Sequence, residues 1–328
     1  MNSNKLRIGV MGCASIAERM VIPAILQSSK FELVVVCSRE EKKAKKYAEK
    51  FGCLYVVGYE QLVEYPNIDV IYMPLPTGLH LEWALKSLAA GKHILLEKSL
   101  AINLEEADKI VTKAKEHNLL IQENFMFAFH RQMKVVLEIL NSGRIGAIRC
   151  IRSSFGFPPF PDAGNIRYSK RLGGGALLDA GAYTIKIAQI LLGFEIEVQA
   201  GSLTYDLQKE VDTMGGLFLT GPNGIFVETA FGFDNFYQCS LEIWGSTGKI
   251  TADRIFTAGP GIKPKITIEQ TGNTEVLEIE SDNHFLNLLN NFADTVYSGD
   301  FTSKYLEIQN QAFLLQAARE KSLPFNNA

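Results

Sequence analysis

The chain lacks most of what would tie it to a membrane, a metal or a nucleic acid. No apolar run reaches the roughly 18 residues of a membrane span. The polar N-terminus passes almost at once into a strand, so no signal peptide is expected either. The five cysteines, Cys13, Cys37, Cys53, Cys150 and Cys239, form no C-x-x-C pair, which points to a reduced, cytoplasmic protein without structural disulfides. The five histidines are scattered, show no zinc-ligand spacing, and lead to an expectation of no metal. The net charge is −3. The densest basic run, Lys42-Lys43-Ala44-Lys45-Lys46, fits a solvated helix face, so neither nucleic acid nor membrane is an expected partner. There is no internal repeat and no low-complexity linker.

What is present is a 328-residue chain, long enough for two domains. Its first third alternates strand and helix: Phe31–Cys37, Cys53–Val57, Ile68–Met73, His93–Leu96 and Leu119–Gln122 read as strands, with helices between them. Asn103-Leu104-Glu105-Glu106 reads as a capping box. Strands spaced by helices imply a parallel sheet, which binds ligands at the carboxyl ends of its strands. After about Phe125 the pattern changes. Helices are expected over Arg131–Asn141 and Ala176–Leu192, strand runs over Glu195–Glu280, and two closing helices over Asn283–Val296 and Tyr305–Arg319. The expected organisation is an α/β dinucleotide-binding domain over 1–123, then an α+β substrate-binding and oligomerisation domain over 124–328.

The first strand, Leu6–Met11, runs through Gly12-Cys13-Ala14-Ser15-Ile16-Ala17 into a helix. The turn departs from G-x-G-x-x-G/A in having Ala14 at the second glycine. Gly12, Cys13, Ala14, Ser15 and Ile16 are candidate phosphate contacts through their amides and the helix dipole. An ordinary strand–turn–helix corner is the competing reading. The second strand ends in Ser38-Arg39 rather than an acidic residue, which favours NADP(H) over NAD(H), because a serine and a guanidinium suit a ribose 2′-phosphate. Arg39 as a solvated residue at a helix start is the alternative.

After the fourth strand, Pro74-Leu75-Pro76 makes a stiff loop along the cofactor's expected path. His80 in the next helix is a further candidate cofactor contact, although a structural role is the simpler reading for it. Glu97-Lys98 follow the fifth strand, where a buried charged pair is unfavourable unless used. Both are candidate cofactor contacts and Lys98 is a candidate catalytic residue. In the second domain Asp179 and Tyr183 stand at i and i+4 of one helix. A carboxylate and a phenol facing a lysine form a proton-transfer set, since a phenol, ordinarily of pKa about 10, needs a cation nearby to act at neutral pH. A buried Asp beside a core Tyr is the alternative. Arg167, Phe155, Phe157, Asn124 and Tyr183 are candidate substrate contacts, Arg167 equally a structural ion-pair partner.

The stretches Ile8–Gly12 with Ile16-Ala17, Pro76–His80, Ala90–Lys98 and Gly173–Tyr183 together resemble the glucose-fructose oxidoreductase/inositol dehydrogenase/MocA family over nearly the whole chain. The resemblance implies a Rossmann domain with a parallel sheet, then an α+β domain whose large, mostly antiparallel open sheet serves a homodimer or homotetramer. Three departures stand out: Ser99 for the family's proline after Glu97-Lys98, Ala14 for a glycine, and Tyr183 where many members carry histidine. Tyrosine there resembles nucleotide-sugar 3-ketoreductases, and also dihydrodiol and xylose dehydrogenases. The Gly12-Cys13-Ala14 turn and Phe155–Pro161 are closer to the ketoreductases. The implied function is NADPH-dependent reduction of a keto group on a sugar, a dTDP-type deoxysugar reduced at C-3. Tyr183 would give the proton, Lys98 would lower the Tyr183 pKa and stabilise the oxyanion, and Asp179 would orient Lys98 or the substrate. The alternatives are an NADP-dependent dehydrogenase of a free sugar or trans-dihydrodiol, an NAD-dependent member, and a non-catalytic dinucleotide- or sugar-binding regulator.

Overall fold

The computed structural model describes residues 5–162 and 164–326. The polar residues 1–4, on which the expectation of no signal peptide rests, lie outside them. The chain divides into two compact units, Met1–Asn124 with Phe285–Gln309, and Phe125–His284 with Asn310–Ala328. The division after Asn124 lies one residue from the expected boundary. Residues 285–309, expected in the second domain, pack instead with the first unit.

The first unit is built on strands β1 (Leu6–Met11), β2 (Phe31–Ser38), β3 (Leu54–Val57), β4 (Val70–Met73), β5 (His93–Leu96) and β6 (Ile121–Glu123). Their order, β3-β2-β1-β4-β5-β6, with every pairing parallel, is that of a doubly wound dinucleotide-binding sheet. Helices α1 (Ile22–Gln27), α2 (Glu41–Phe51), α3 (Tyr59–Val63), α4 (His80–Ala89) and α5 (Leu104–Glu116) connect the strands. Ile8, Val10, Val35, Val36, Ile71, Ile94 and Leu96 are fully buried. Each such side chain removed from water contributes about 1.5–3 kcal/mol, which is why these runs are apolar on both faces. The capping box forms: Asn103 Oδ1 accepts the Glu106 N–H at 2.9 Å, and Ala107, Ile110, Val111 and Ala114 make the buried face of α5.

The returning segment comprises most of α8 (His284–Ser298) and the start of α9 (Thr302–Glu320). It docks by Ser28 Oγ donating to Asn290 Oδ1 at 2.8 Å, by Tyr305 Oη donating to the Leu119 carbonyl at 2.8 Å, and by the Phe301 ring edge-on to His93. The contacting residues are spread over an interval too long for sequence periodicity to connect.

The second unit contains α6 (Arg131–Asn141), α7 (Ala182–Leu192) and a nine-stranded sheet of β7 (Ile148–Gly156), β8 (Glu197–Asp206), β9 (Val211–Thr220), β10 (Phe226–Gly232), β11 (Gln238–Gly245), β12 (Gly248–Asp253), β13 (Lys265–Gln270), β14 (Asn273–Glu278) and β15 (Ser322–Asn326), ordered β14-β13-β12-β11-β7-β10-β9-β8-β15. The sheet is mostly antiparallel, but β7 with β10 and β8 with β15 pair in parallel. One face packs Ile151, Leu219, Val227, Leu241 and Ile243 against Ile185 and Ala188 of α7. The other shows Met214, Phe218, Trp244 and Val276 to solvent. The helical run 170–192 has the length and apolar composition of a membrane span, but 78% of its window is buried inside the protein, so its hydrophobicity is spent on the core.

Candidate functional site

In the first unit the candidate residues gather at the carboxyl ends of β1, β2, β4, β5 and β6. Gly12 has φ +111°, and a Cβ there would come 3.1 Å from Leu75 Cδ2. Glycine is therefore the residue that lets the loop after β4 close on the turn after β1. Beyond Gly12 the chain becomes helical at Ser15 and passes through a π-type turn, Ala17–Val21, into α1. The Tyr47 hydroxyl lies 3.2 Å from the Cys13 carbonyl and 3.4 Å from that of Ala14. Tyr47 thus draws the turn's oxygens inward. The first amides of a helix have no intrahelical acceptor, so the donor set at Cys13, Ala14, Ser15 and Ile16 suits a phosphate. Cys13 is buried, with its thiol facing the Cys37 carbonyl, and burial pushes its pKa up to about 11.

Ser38 is buried, and its Oγ accepts the Glu40 N–H at 3.2 Å, which leaves its proton to donate elsewhere. Arg39 is exposed. Burial raises the pKa of the Tyr59 hydroxyl, and the charge of nearby Arg39 acts against that. Tyr59, which the sequence reading did not single out, stands between Arg39 and the Gly12 turn and packs edge-on against Trp83, ring centroids 5.1 Å apart.

Glu97 braces the end of the sheet. Its Oε1 accepts the Tyr72 hydroxyl at 2.6 Å and the Asn124 side-chain N–H at 2.6 Å. Burial pushes the carboxyl pKa up, and these two donors act against that. Asn124, expected as a substrate contact, is 1% exposed; its side-chain N–H holds Glu97, and its Oδ1 has no hydrogen-bond partner among the described residues. The Lys98–Ser99 peptide is cis. Behind Lys98, the Leu100 N–H donates to Glu123 Oε1 at 2.8 Å. His80, entered among the cofactor contacts, is wholly buried. Its Nε2 lies 2.8 Å from the Leu75 carbonyl, and its Nδ1 lies 3.1 Å from both the Ser99 and Leu100 carbonyls. The ring is thus enclosed by backbone carbonyls rather than turned toward a ligand, against the expected cofactor contact.

In the second unit the expected helix over Ala176–Leu192 begins with a π-type turn, Leu177–Gly181, before α7. Such turns recur at functional sites, and this one carries Asp179. Gly175 has φ +115°, and a Cβ there would lie 2.3 Å from Asp212 Oδ1. Asp212, on β9, accepts the Leu177 N–H at 2.5 Å, so a carboxylate remote in sequence caps the helix. Asp179 forms an ion pair with Arg167, Oδ2 to Nε 2.5 Å. The Arg167 guanidinium also lies over the Phe160 ring at 4.6 Å.

Tyr183 is 7% exposed. Its ring meets Phe155 at 5.1 Å, Phe125 and Phe256 at 5.5 Å and Phe127 at 5.7 Å. Its hydroxyl reaches Met126 Sδ at 3.8 Å. Phe157 continues this wall, 5.6 Å from Phe155 and stacked on Phe233. The sequence reading found Phe155 and Phe157 but missed Phe125, Phe127, Phe233 and Phe256, whose positions give no local pattern. A buried Asp212 in an otherwise apolar strand was the one missed residue with a visible signal.

Among the described residues no group of three or more His, Cys, Asp or Glu could hold a metal, and the five cysteines are free. A hollow of about 460 Å³ lined by Leu85, Glu105, Asp108, Lys109, Thr112, Lys113 and Glu116 holds none of the residues discussed above; its wall is the solvated, ion-paired face of α5.

Comparison with known proteins agrees with this geometry. The profile described as "Oxidoreductase family, NAD-binding Rossmann fold" matches residues 6–125, and that of the GFO/IDH/MocA C-terminal domain matches residues 133–251. The chain is 37% identical over 319 residues to dTDP-3,4-didehydro-2,6-dideoxy-alpha-D-glucose 3-reductase of Actinomadura kijaniata, covering 97% of this chain and 96% of that one. It is 38% identical over 294 residues to the enzyme of the same name from Saccharopolyspora spinosa, covering 90% and 88%. The crystal structure of KijD10, a 3-ketoreductase from Actinomadura kijaniata in complex with NADP and TDP-benzene, superimposes with a TM-score of 0.96 at 36% identity, over 99% of this chain and 100% of that one. The protein belongs to the GFO/IDH/MocA family of oxidoreductases.

Proposed function

We infer that the protein is an NADPH-dependent ketoreductase acting at C-3 of a dTDP-linked deoxysugar. The observation that carries this reading is likeness along the whole chain to 3-reductases of such sugars, joined to a tyrosine, Tyr183, set in an aromatic wall.

NADPH fits the residues present. The amides from Cys13 to Ile16 would hold the pyrophosphate, Ser38 and Arg39 the 2′-phosphate, and the Pro74-Leu75-Pro76 loop would flank the dinucleotide. When bound, the cofactor supplies a hydride to the carbonyl carbon. Tyr183 gives its hydroxyl proton to the oxygen that becomes the alcohol. The Lys98 ammonium favours the charge developing on that oxygen and eases the phenol's loss of its proton. Asp179 and Arg167 form one paired unit beside Tyr183, and the guanidinium N–H groups not bonded to Asp179 can donate to substrate hydroxyls or phosphate. Phe155 and Phe157 present an apolar wall suited to a deoxysugar, which offers fewer hydroxyls to solvate. The exposed Met214, Phe218, Trp244 and Val276 face of the second sheet suits a homodimer or homotetramer, since large apolar patches are usually covered. Five free cysteines, four of them buried, agree with a cytoplasmic setting.

The test is turnover with NADPH on a panel of dTDP-linked 3-keto sugars and free sugars, run with Tyr183→Phe and Lys98→Met. Each variant should lose about 10²–10⁴-fold in kcat while NADPH still binds. Preference for free sugars, or near-normal turnover of either variant, would sink the assignment. KijD10 has itself been crystallised as a Tyr-to-Phe and as Lys-to-Ala and Lys-to-Glu variants.

A further inference from the structure

The β4–β5 ladder runs from Val70–His93 to Met73–Leu96, and one more bond, Glu97 N–H to the Met73 carbonyl at 3.2 Å, closes it. Beyond that point sheet pairing no longer holds the two exit loops together. His80 does. From the first residue of α4 its ring spans them, with Nε2 on the Leu75 carbonyl at 2.8 Å and Nδ1 on the carbonyls of Ser99 and Leu100 at 3.1 Å. The ring is completely excluded from water, so these contacts are not exchanged for solvent. Lys98 is thereby bracketed. Ahead of it Glu97 is held by Tyr72 and Asn124, and behind it Ser99 and Leu100 are held by His80 and Glu123.

We propose that His80 is a positioning residue for the reduction, fixing Lys98 through the Ser99 and Leu100 carbonyls and fixing the cofactor loop through Leu75. The inference rests on the reading of Lys98 given above. Burial and the Lys98 charge lower the His80 pKa, and the Leu75, Leu100 and Ser99 carbonyls raise it. Because both nitrogens face only carbonyl oxygens, holding both loops takes the two N–H donors of the protonated ring.

The two arms can be separated. An asparagine amide can stand near the position of Nδ1 and a glutamine amide near that of Nε2. His80→Asn keeps the Ser99/Leu100 arm, and its kcat should stay within about threefold of the wild type. His80→Gln keeps the Leu75 arm alone, and its kcat at a temperature where it is fully folded should fall by about 10–10²-fold with NADPH Kd unchanged, the loss expected when a catalytic group is displaced by about 1 Å. The limb of its kcat–pH profile that reports the proton donor should also move to higher pH. A purely structural histidine would move the thermal midpoint and leave the profile of the folded enzyme in place. Equal kcat in the two variants, or the reverse order, overturns the proposal. Lys98→Met is the control. If it turns over normally, the reading of Lys98 fails; if it is inactive and the His80 variants do not separate, the positioning role alone fails.

Discussion

Asp212 on β9 accepts the backbone N–H of Leu177 at 2.5 Å, thirty-five residues back along the chain. The carboxylate is 6% exposed. Burial pushes its pKa up, and the Leu177 and Ala176 amides oppose this. It therefore caps the helix that carries Asp179 and Tyr183, and Gly175 is glycine because the cap occupies the space where a Cβ would be. Asp212→Ala should destabilise the protein by about 1–3 kcal/mol by leaving buried amides without an acceptor, and Asp212→Asn should do so by less. Urea denaturation followed by fluorescence measures both; equal stability of Asp212→Ala and wild type would contradict the cap.

Arg167 and Asp179 form a half-buried pair, with side chains 35% and 14% exposed. Removing either partner strands the other in a poorly hydrated place. Arg167→Met and Asp179→Asn should each lower stability, and the double variant should lose less than their sum, with a coupling of about 1 kcal/mol or more. Strict additivity in denaturant midpoints would show that the pair contributes nothing.

Under the proposed function, Arg39 selects the cofactor. A charge-assisted bond to a phosphate is worth about 1.5–3 kcal/mol. Arg39→Ala should therefore weaken NADPH binding by about 10–10²-fold, by the same relation between free energy and affinity, and leave NADH binding almost unchanged. Nucleotide fluorescence titration decides it, and a parallel loss for both nucleotides would remove Arg39 from the 2′-phosphate.

His130 and His284 are buried against each other, ring centroids 5.7 Å apart. Desolvation, reinforced by His130, lowers the His284 pKa from 6.5 to about 4, against the pull of Asp282. The folded state then binds fewer protons than the unfolded chain between those values. Stability is fully present above pH 6.5, falls as pH drops through the window and levels off below about 4, a loss on the order of 3 kcal/mol for this residue. His284→Gln should flatten that limb of a denaturation–pH series relative to wild type; superimposable slopes would exclude His284 as its source.

Much of this was legible in the sequence because it is local. Strand–helix alternation, the Gly12 turn, the Asn103 cap and the Ser38-Arg39 ending all lie within a few residues of their causes. Lys98 and Tyr183 stand out in the sequence because each follows a recognisable element. That the His80 ring and the Asn124 side-chain N–H turn onto neighbouring protein groups is not legible there, because a sequence shows that a residue follows a strand but not which way its side chain turns. The return of residues 285–309 to the first unit, the Asp212 cap and the aromatic wall around Tyr183 depend on partners up to 262 positions apart, Ser28 and Asn290 among them, and no periodicity reports such pairs.

The sequence alone determined the two-domain plan, the parallel order of the first sheet and the residue types available for chemistry, since hydrophobic period, turn residues and caps act over single elements. Only the tertiary structure decided which polar groups spend their hydrogen bonds on the fold and which remain for a ligand. Burial and backbone closure consume the His80 ring and the Glu97 Oε1 lone pairs in holding the neighbours of Lys98, and that allocation is a property of elements packed together.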